Sequence, residues 1–110
     1  MKHFVVTYTH PDETGWKKHL PGHFAYLEKL VSDGKLVASG SLLTSPQRST
    51  MLIIKAKNSA EALEIVSRDP FSVLDLIGDL SVNEWNPIFV KQQNFIGRVL
   101  HKVRSKIGSW

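Results

Sequence analysis

The order in which strand-like and helix-like stretches follow one another is the feature of this sequence that most limits its fold. Residues 2–10 are rich in β-branched and aromatic side chains, and Phe4, Val6 and Tyr8 occupy every second position, which predicts a first strand. Further strands are predicted over residues 35–44, 49–57 and 80–90. One helical segment separates the first two strands, and two separate the last two.

The helical segments have recognisable ends. The first helix is predicted to run from Pro21 to Ser32, because proline suits the first helical position, where its missing N–H is not needed. Asn58 and Glu61 are spaced as a capping box, which predicts the start of a second helix that ends at an Asp-Pro dipeptide. A short third helix is predicted over residues 70–78.

The resulting order, β-α-β-β-α-(α)-β, is that of the split β-α-β arrangement found in ferredoxin-like folds. It predicts an α+β fold with a four-stranded antiparallel sheet and helices on one face. The apolar residues of the first and third strands then favour a second copy of the chain over solvent as the cover of the other face. We therefore expect a homodimer through the sheet face, and a higher oligomer is compatible with the same pattern.

The length of 110 residues suits a single domain. The absence of cysteine excludes disulfides, thiolate metal sites and a cysteine nucleophile. The N-terminal stretch lacks the pattern of a signal peptide, and no apolar run approaches the length of a membrane span. A cytoplasmic location is therefore expected.

The formal net charge of +4 comes from the C-terminal end. Residues 91–110 carry five basic side chains and no acidic one, whereas the rest of the chain carries nine basic and ten acidic side chains. We therefore divide the chain into a domain over 1–91 and a basic amphipathic C-terminal helix over 92–110. The domain itself is not expected to bind nucleic acid or membrane, while packing of the tail and a surface contact through it both remain open.

A histidine interrupts the apolar face of the first predicted helix. The bulky apolar residues of that helix define one broad face, and His23 points between Leu30 and Phe24 on it. If the helix begins at Pro21, His23 lies in its first turn, where the helix dipole favours neutral imidazole. Such a histidine is either a hydrogen-bonded structural group or a site residue.

An aspartate before proline is the second candidate. Asp69 is a favoured N-cap for the short third helix, which is its structural interpretation. It could also orient a histidine, because a carboxylate fixes the tautomer of a general base. The other histidines have no ligand-like spacing, so no metal site is predicted.

Three stretches in this order and spacing resemble the YciI-like (YCII-related) proteins: "HFAYLEKLVSDGKLVASGSL", "DPF" and "VNEWNP". The resemblance covers most of residues 1–90. It implies a ferredoxin-like fold of the dimeric α+β barrel type, with a histidine and an aspartate forming an active site in one cleft. Carried over to this sequence, these residues are His23 and Asp69.

The sequence and the resemblance together predict a small enzyme that needs no cofactor. His23 would be the general base or acid, Asp69 would orient it, and Gly40 and Ser41 would line the pocket for a small cyclic or anionic molecule. Proton transfer, isomerisation and elimination are the reactions that such a pair supports. The alternative is a module that binds a small ligand, or assembles as a dimer, without turnover.

Overall fold

The computed structural model describes residues 1–90, which form a four-stranded antiparallel sheet with helices on one face. The strands are β1 (Lys2–Thr9), β2 (Leu36–Ser41), β3 (Ser49–Ala56) and β4 (Gly78–Trp85). The helices are α1 (Glu13–Ser32), α2 (Ser59–Ser67) and the single turn α3 (Pro70–Val73). The spatial order β2-β3-β1-β4 is the ferredoxin-like order, so the predicted fold class is confirmed. The predicted helix over 92–110 lies outside the described residues.

The core lies between the sheet and the helices, and the alternation in β1 accounts for it. Phe4, Val6 and Tyr8 are each at most 2% exposed, while the residues between them face the other side of the sheet. Their partners in β3 are Ile54, Leu52 and Thr50, in that order. Because side chains alternate along a strand, these pairs share the helix-covered face.

The start of α1 differs from the prediction. The helix begins at Glu13 rather than Pro21, because Asp12 is its N-cap and accepts a hydrogen bond from the N–H of Gly15 at 3.0 Å. Pro21 therefore lies inside the helix, where it deprives the Lys17 carbonyl of its usual N–H partner. Proline is tolerated there because it is exposed to solvent, while the apolar face of the helix continues towards the N-terminus.

The remaining elements are present with shifted ends. The N-cap at the start of α2 is confirmed, since Asn58 accepts from the N–H of Glu61 at 2.9 Å. The return bond of the predicted capping box is displaced by one residue, because Glu61 accepts from the N–H of Lys57 at 3.2 Å. The third helix is one turn rather than the nine residues of 70–78. The fourth strand begins at Gly78 and ends at Trp85, before Pro87. None of the helices within residues 1–90 is both long and apolar enough to cross a membrane.

The helix-facing alternation of β1 continues one step beyond the strand, to a buried histidine. His10 is 2% exposed, and its Nε2 lies 2.7 Å from Thr50 Oγ1. Burial lowers the pKa of His10 from 6.5 to about 4, with repulsion from His23 and Arg48 acting in the same direction and Asp69 opposing it. His10 is therefore neutral in the folded chain at neutral pH.

The neutral state of His10 makes the stability of the fold depend on pH. Its folded pKa lies below the pKa in the unfolded chain, so the unfolded state binds the proton more readily. The contribution of His10 to the free energy of unfolding is complete above pH 6.5 and declines as the pH falls towards 4, by about 3 kcal/mol in all. Urea unfolding at a series of pH values measures this loss. The variant His10→Gln is expected to lack it, and a wild-type-to-variant difference that is equal at both ends of this pH range would contradict the prediction.

Candidate functional site

The first site residue, His23, lies in the middle of α1 on the face that packs against the core. Its side chain is fully buried, as the apolar pattern of the helix predicts. Because α1 begins at Glu13, His23 is not in the first turn, and the argument from the helix dipole does not apply to it. The tautomer of His23 must therefore be set by its neighbours.

The second site residue, Asp69, contacts both His23 and the start of α3. Its Oδ2 lies 2.6 Å from His23 Nδ1, and its Oδ1 accepts from the N–H of Phe71 at 2.9 Å. Asp69 is 2% exposed. Asp69 thus caps the helix through one carboxylate oxygen and contacts the histidine through the other.

Phe71 packs its aromatic ring against the imidazole ring of His23. Its ring is fully buried and stacks on His23, with a centroid distance of 4.4 Å and an interplanar angle of 24°. The same ring lies 5.1 Å from His10 in an edge-to-face arrangement. Phe71 therefore joins the predicted pair to a second buried histidine.

A group of aromatic and polar side chains that we did not predict surrounds His10. Tyr8 and Trp16 lie 5.3 and 6.2 Å from the His10 ring, centroid to centroid, and Thr50 binds its Nε2. Burial raises the pKa of Tyr8 well above 10, and the charge of Asp69 acts in the same direction, so its hydroxyl stays protonated. The period of two in β1 could have identified His10, since it continues the buried positions.

Gly40 and Ser41 lie at the end of β2, on opposite faces of the sheet. Ser41 pairs with Thr50 in the register and so shares the helix-covered face, near His10. Gly40 pairs with Met51 on the open face, and a Cβ added to it would meet no atom within 4 Å. The structure therefore brings Ser41, but not Gly40, to the side of the sheet that holds His23. Their role in binding substrate stays a prediction.

Two grooves on the described surface lie outside the His23–Asp69 pair. The larger, of about 750 Å³, is lined mainly by the first turns of α1 and includes Trp16, Lys17 and Arg48. The guanidinium of Arg48 lies 3.9 Å above the Trp16 ring, and its Nε is 3.4 Å from a carboxylate oxygen of Glu13. The smaller groove, of about 370 Å³, includes Arg68 and shares no lining residue with the larger groove.

The described part of the chain holds no group of three histidine, aspartate or glutamate side chains placed to share a metal ion. At His23 the structure places an imidazole beside a carboxylate. When the ring is neutral, the short contact to Asp69 favours the proton on Nδ1, which leaves the lone pair on Nε2. Such a nitrogen can accept a proton.

The fold is similar to that of a solved enzyme. It matches the 5-chloro-2-hydroxyhydroquinone dehydrochlorinase of Burkholderia phenoliruptrix, solved in complex with 2,5-dihydroxybenzoquinone, with a TM-score of 0.66 and 24% sequence identity. The match covers 76% of this chain and 93% of that chain. At this level of identity the likeness shows a shared fold. The sequence matches none of the curated proteins.

The family is shown by the sequence itself. The model of the YCII-related domain matches residues 1–86, which is most of the chain and nearly all of the part that the structure describes. The family that the three stretches predicted is thereby confirmed, and the chain belongs to the proteins that carry a YCII-related domain.

Proposed function

We propose that the protein is an enzyme that acts on a small molecule, in which His23 transfers a proton and Asp69 orients the imidazole ring of His23. The observation that carries this proposal is the 2.6 Å contact between His23 Nδ1 and Asp69 Oδ2, in a site where both residues are buried. A carboxylate that is hydrogen-bonded to one ring nitrogen holds the imidazole in one tautomer. It also stabilises the imidazolium that forms when the other nitrogen accepts a proton.

In this proposal Nε2 of His23 is the atom that reacts. It accepts a proton from the substrate and returns it, or passes it to a leaving group, while the Nδ1 proton stays in the hydrogen bond to Asp69. Stacking on Phe71 restricts rotation of the ring, so that Nε2 keeps one direction. Proton abstraction next to a carbonyl, isomerisation and elimination all need a base of this kind.

The dehydrochlorinase of similar fold suggests a substrate class. Its name describes the removal of a proton and a chloride ion from 5-chloro-2-hydroxyhydroquinone, and its bound ligand is 2,5-dihydroxybenzoquinone. Both molecules are six-membered rings with oxygen substituents. Such a step requires a base for the proton and a leaving group that departs with its bonding electrons, and it consumes no oxidant. We propose a small, oxygen-substituted cyclic molecule as the substrate of this protein, and Ser41 as a residue of the surrounding pocket.

A second candidate function is the binding of a similar ligand without turnover. The observation that favours it is the complete burial of the His23 side chain. A ligand would reach Nε2 only after neighbouring side chains moved, whereas a histidine that only supports the pocket needs no such access.

Replacing Asp69 by asparagine separates these two functions. Asparagine is also a good N-cap, so its side-chain oxygen still accepts from Phe71, while its N–H₂ group faces His23 Nδ1 and favours the wrong tautomer. We expect Asp69→Asn to fold, and to slow chloride release from 5-chloro-2-hydroxyhydroquinone by roughly 100-fold or more. The same loss is expected for His23→Gln.

The exposed, solvated ion pair of α2 offers a control for this measurement. Glu64 pairs with Arg68 on the surface, and Glu64→Gln is expected to leave the rate unchanged. Chloride release that is as fast in Asp69→Asn as in the wild type would contradict the catalytic proposal. Ligand binding without release by the wild-type protein would instead support the binding function.

We further propose that a second copy of the chain covers the open face of the sheet. The side chains of Val5, Thr7 and Met51 lie on that face and are partly exposed in the single chain. Val5 pairs there with Ile53, so the centre of the face is apolar. An apolar sheet face of this kind is usually buried in a dimer.

Charges placed at the centre of the open face test this assembly. We expect the double variant Val5→Lys with Met51→Lys to elute as a monomer, because burying two unpaired ammonium groups opposes association. Size-exclusion chromatography with light scattering measures the mass. The matched control is Leu43→Lys in the β2–β3 loop, where the side chain is 86% exposed. A wild-type monomer, or a double variant that stays dimeric, would refute the proposed interface.

A further inference from the structure

Three buried polar atoms on neighbouring side chains lack a hydrogen-bond partner within residues 1–90. They are Tyr8 Oη, His10 Nδ1 and Trp16 Nε1. The His10 ring lies within 6.2 Å of both other rings, centroid to centroid. Buried polar atoms in native proteins are nearly always paired, and leaving one unpaired is costly. Three such atoms around one ring indicate a place where a partner binds.

These atoms lie one aromatic ring away from the proposed catalytic pair. His10 packs edge-to-face on Phe71 at 5.1 Å, and Phe71 stacks on His23 at 4.4 Å. Tyr8 is close enough to Asp69 for the carboxylate charge to affect its pKa. A molecule bound to these atoms would therefore lie near His23.

The three side chains are also held in place. His10 Nε2 is bound to Thr50, so the His10 ring cannot turn to pair its Nδ1 without losing that contact. The Trp16 ring lies beneath the guanidinium of Arg48 at 3.9 Å. Polar atoms fixed before the ligand arrives bind it with little loss of conformational entropy.

We propose that Tyr8, His10 and Trp16 bind the oxygen substituents of a planar ring and so determine which cyclic molecules the protein accepts. This inference rests on the proposed function and names the chemical feature of the substrate that is recognised. The indole N–H can only donate, and the tyrosine hydroxyl is free to donate, so the ligand must offer acceptor oxygens such as carbonyl or hydroxyl groups. The neighbouring aromatic faces suit a flat ring.

A surface groove beside Trp16 is the place from which such a molecule would enter. Trp16 lines this groove, of about 750 Å³, together with Lys17, Lys18 and Arg48. Its volume is that of a small-molecule site, and its basic side chains attract a ring that carries a negative charge on oxygen. Trp16 is therefore shared by the groove and by the buried cluster.

Removing the tyrosine hydroxyl tests the proposal. Since Tyr8 Oη has no partner in the described structure, we expect Tyr8→Phe to leave the melting temperature unchanged or to raise it. We expect it to weaken the binding of 2,5-dihydroxybenzoquinone by about 3- to 10-fold in calorimetry, which is the loss of one neutral hydrogen bond. Binding of toluene, a flat ring without oxygen, should not weaken. Trp16→Phe, which removes the indole N–H, is expected to lose affinity to a similar degree.

Tyr26 provides the matched control, because its hydroxyl has a partner. It donates to the carbonyl of Ile65 at 2.6 Å, and Tyr26 lines the smaller groove. Tyr26→Phe should lower the melting temperature and leave the affinity for 2,5-dihydroxybenzoquinone unchanged.

Two results would overturn the inference. One is an unchanged affinity of both Tyr8→Phe and Trp16→Phe for 2,5-dihydroxybenzoquinone. The other is a melting temperature of Tyr8→Phe that falls as far as that of Tyr26→Phe, which would assign the hydroxyl a structural role. Chloride release that depends on His23, while both Tyr8→Phe and Trp16→Phe bind normally, would leave the proposed function standing without this inference. If Tyr8→Phe weakens binding and the wild-type protein releases no chloride, the inference about ligand recognition would stand and the catalytic function would not.

Discussion

The rest of the site depends on the two contacts that the carboxylate of Asp69 makes. One oxygen caps α3 and fixes the N–H of Phe71, and the other holds His23, which lies 46 residues earlier in the chain on α1. A single side chain thus sets the position of a helix turn, an aromatic ring and an imidazole. Each oxygen of the buried carboxylate therefore has a hydrogen-bonding partner within the described residues.

The ferredoxin-like sheet brings these pieces together at one end of its covered face. β1 leads from Phe4 through Tyr8 to His10 with every second side chain facing the helices, and Thr50 of β3 meets His10 there. α1 and α3 then cover the same end with His23 and Phe71. The buried side chains of Tyr8, His10, His23 and Asp69 therefore continue the hydrophobic core with polar residues.

Local patterns in the sequence predict most of the fold and part of the site. The alternation of β1 and the N-caps at Asn58 and Asp69 depend on neighbouring residues, and all three are present. The predicted start of the first helix at Pro21 was wrong, because Trp16 and Leu20 extend the apolar face of α1 towards an N-cap at Asp12. The contacts of His10 with Thr50 and Trp16 depend on the packing of separate elements, which one sequence does not reveal.

The central claim is that Asp69 holds the proton of neutral His23 on Nδ1 and leaves Nε2 to act as the base. Long-range ¹H–¹⁵N correlation of the histidine rings, with His23 assigned by comparison with His23→Gln, measures the protonation of each nitrogen. The account predicts a protonated Nδ1 and an unprotonated Nε2 when the ring is neutral. A neutral ring that carries its proton on Nε2 would contradict it.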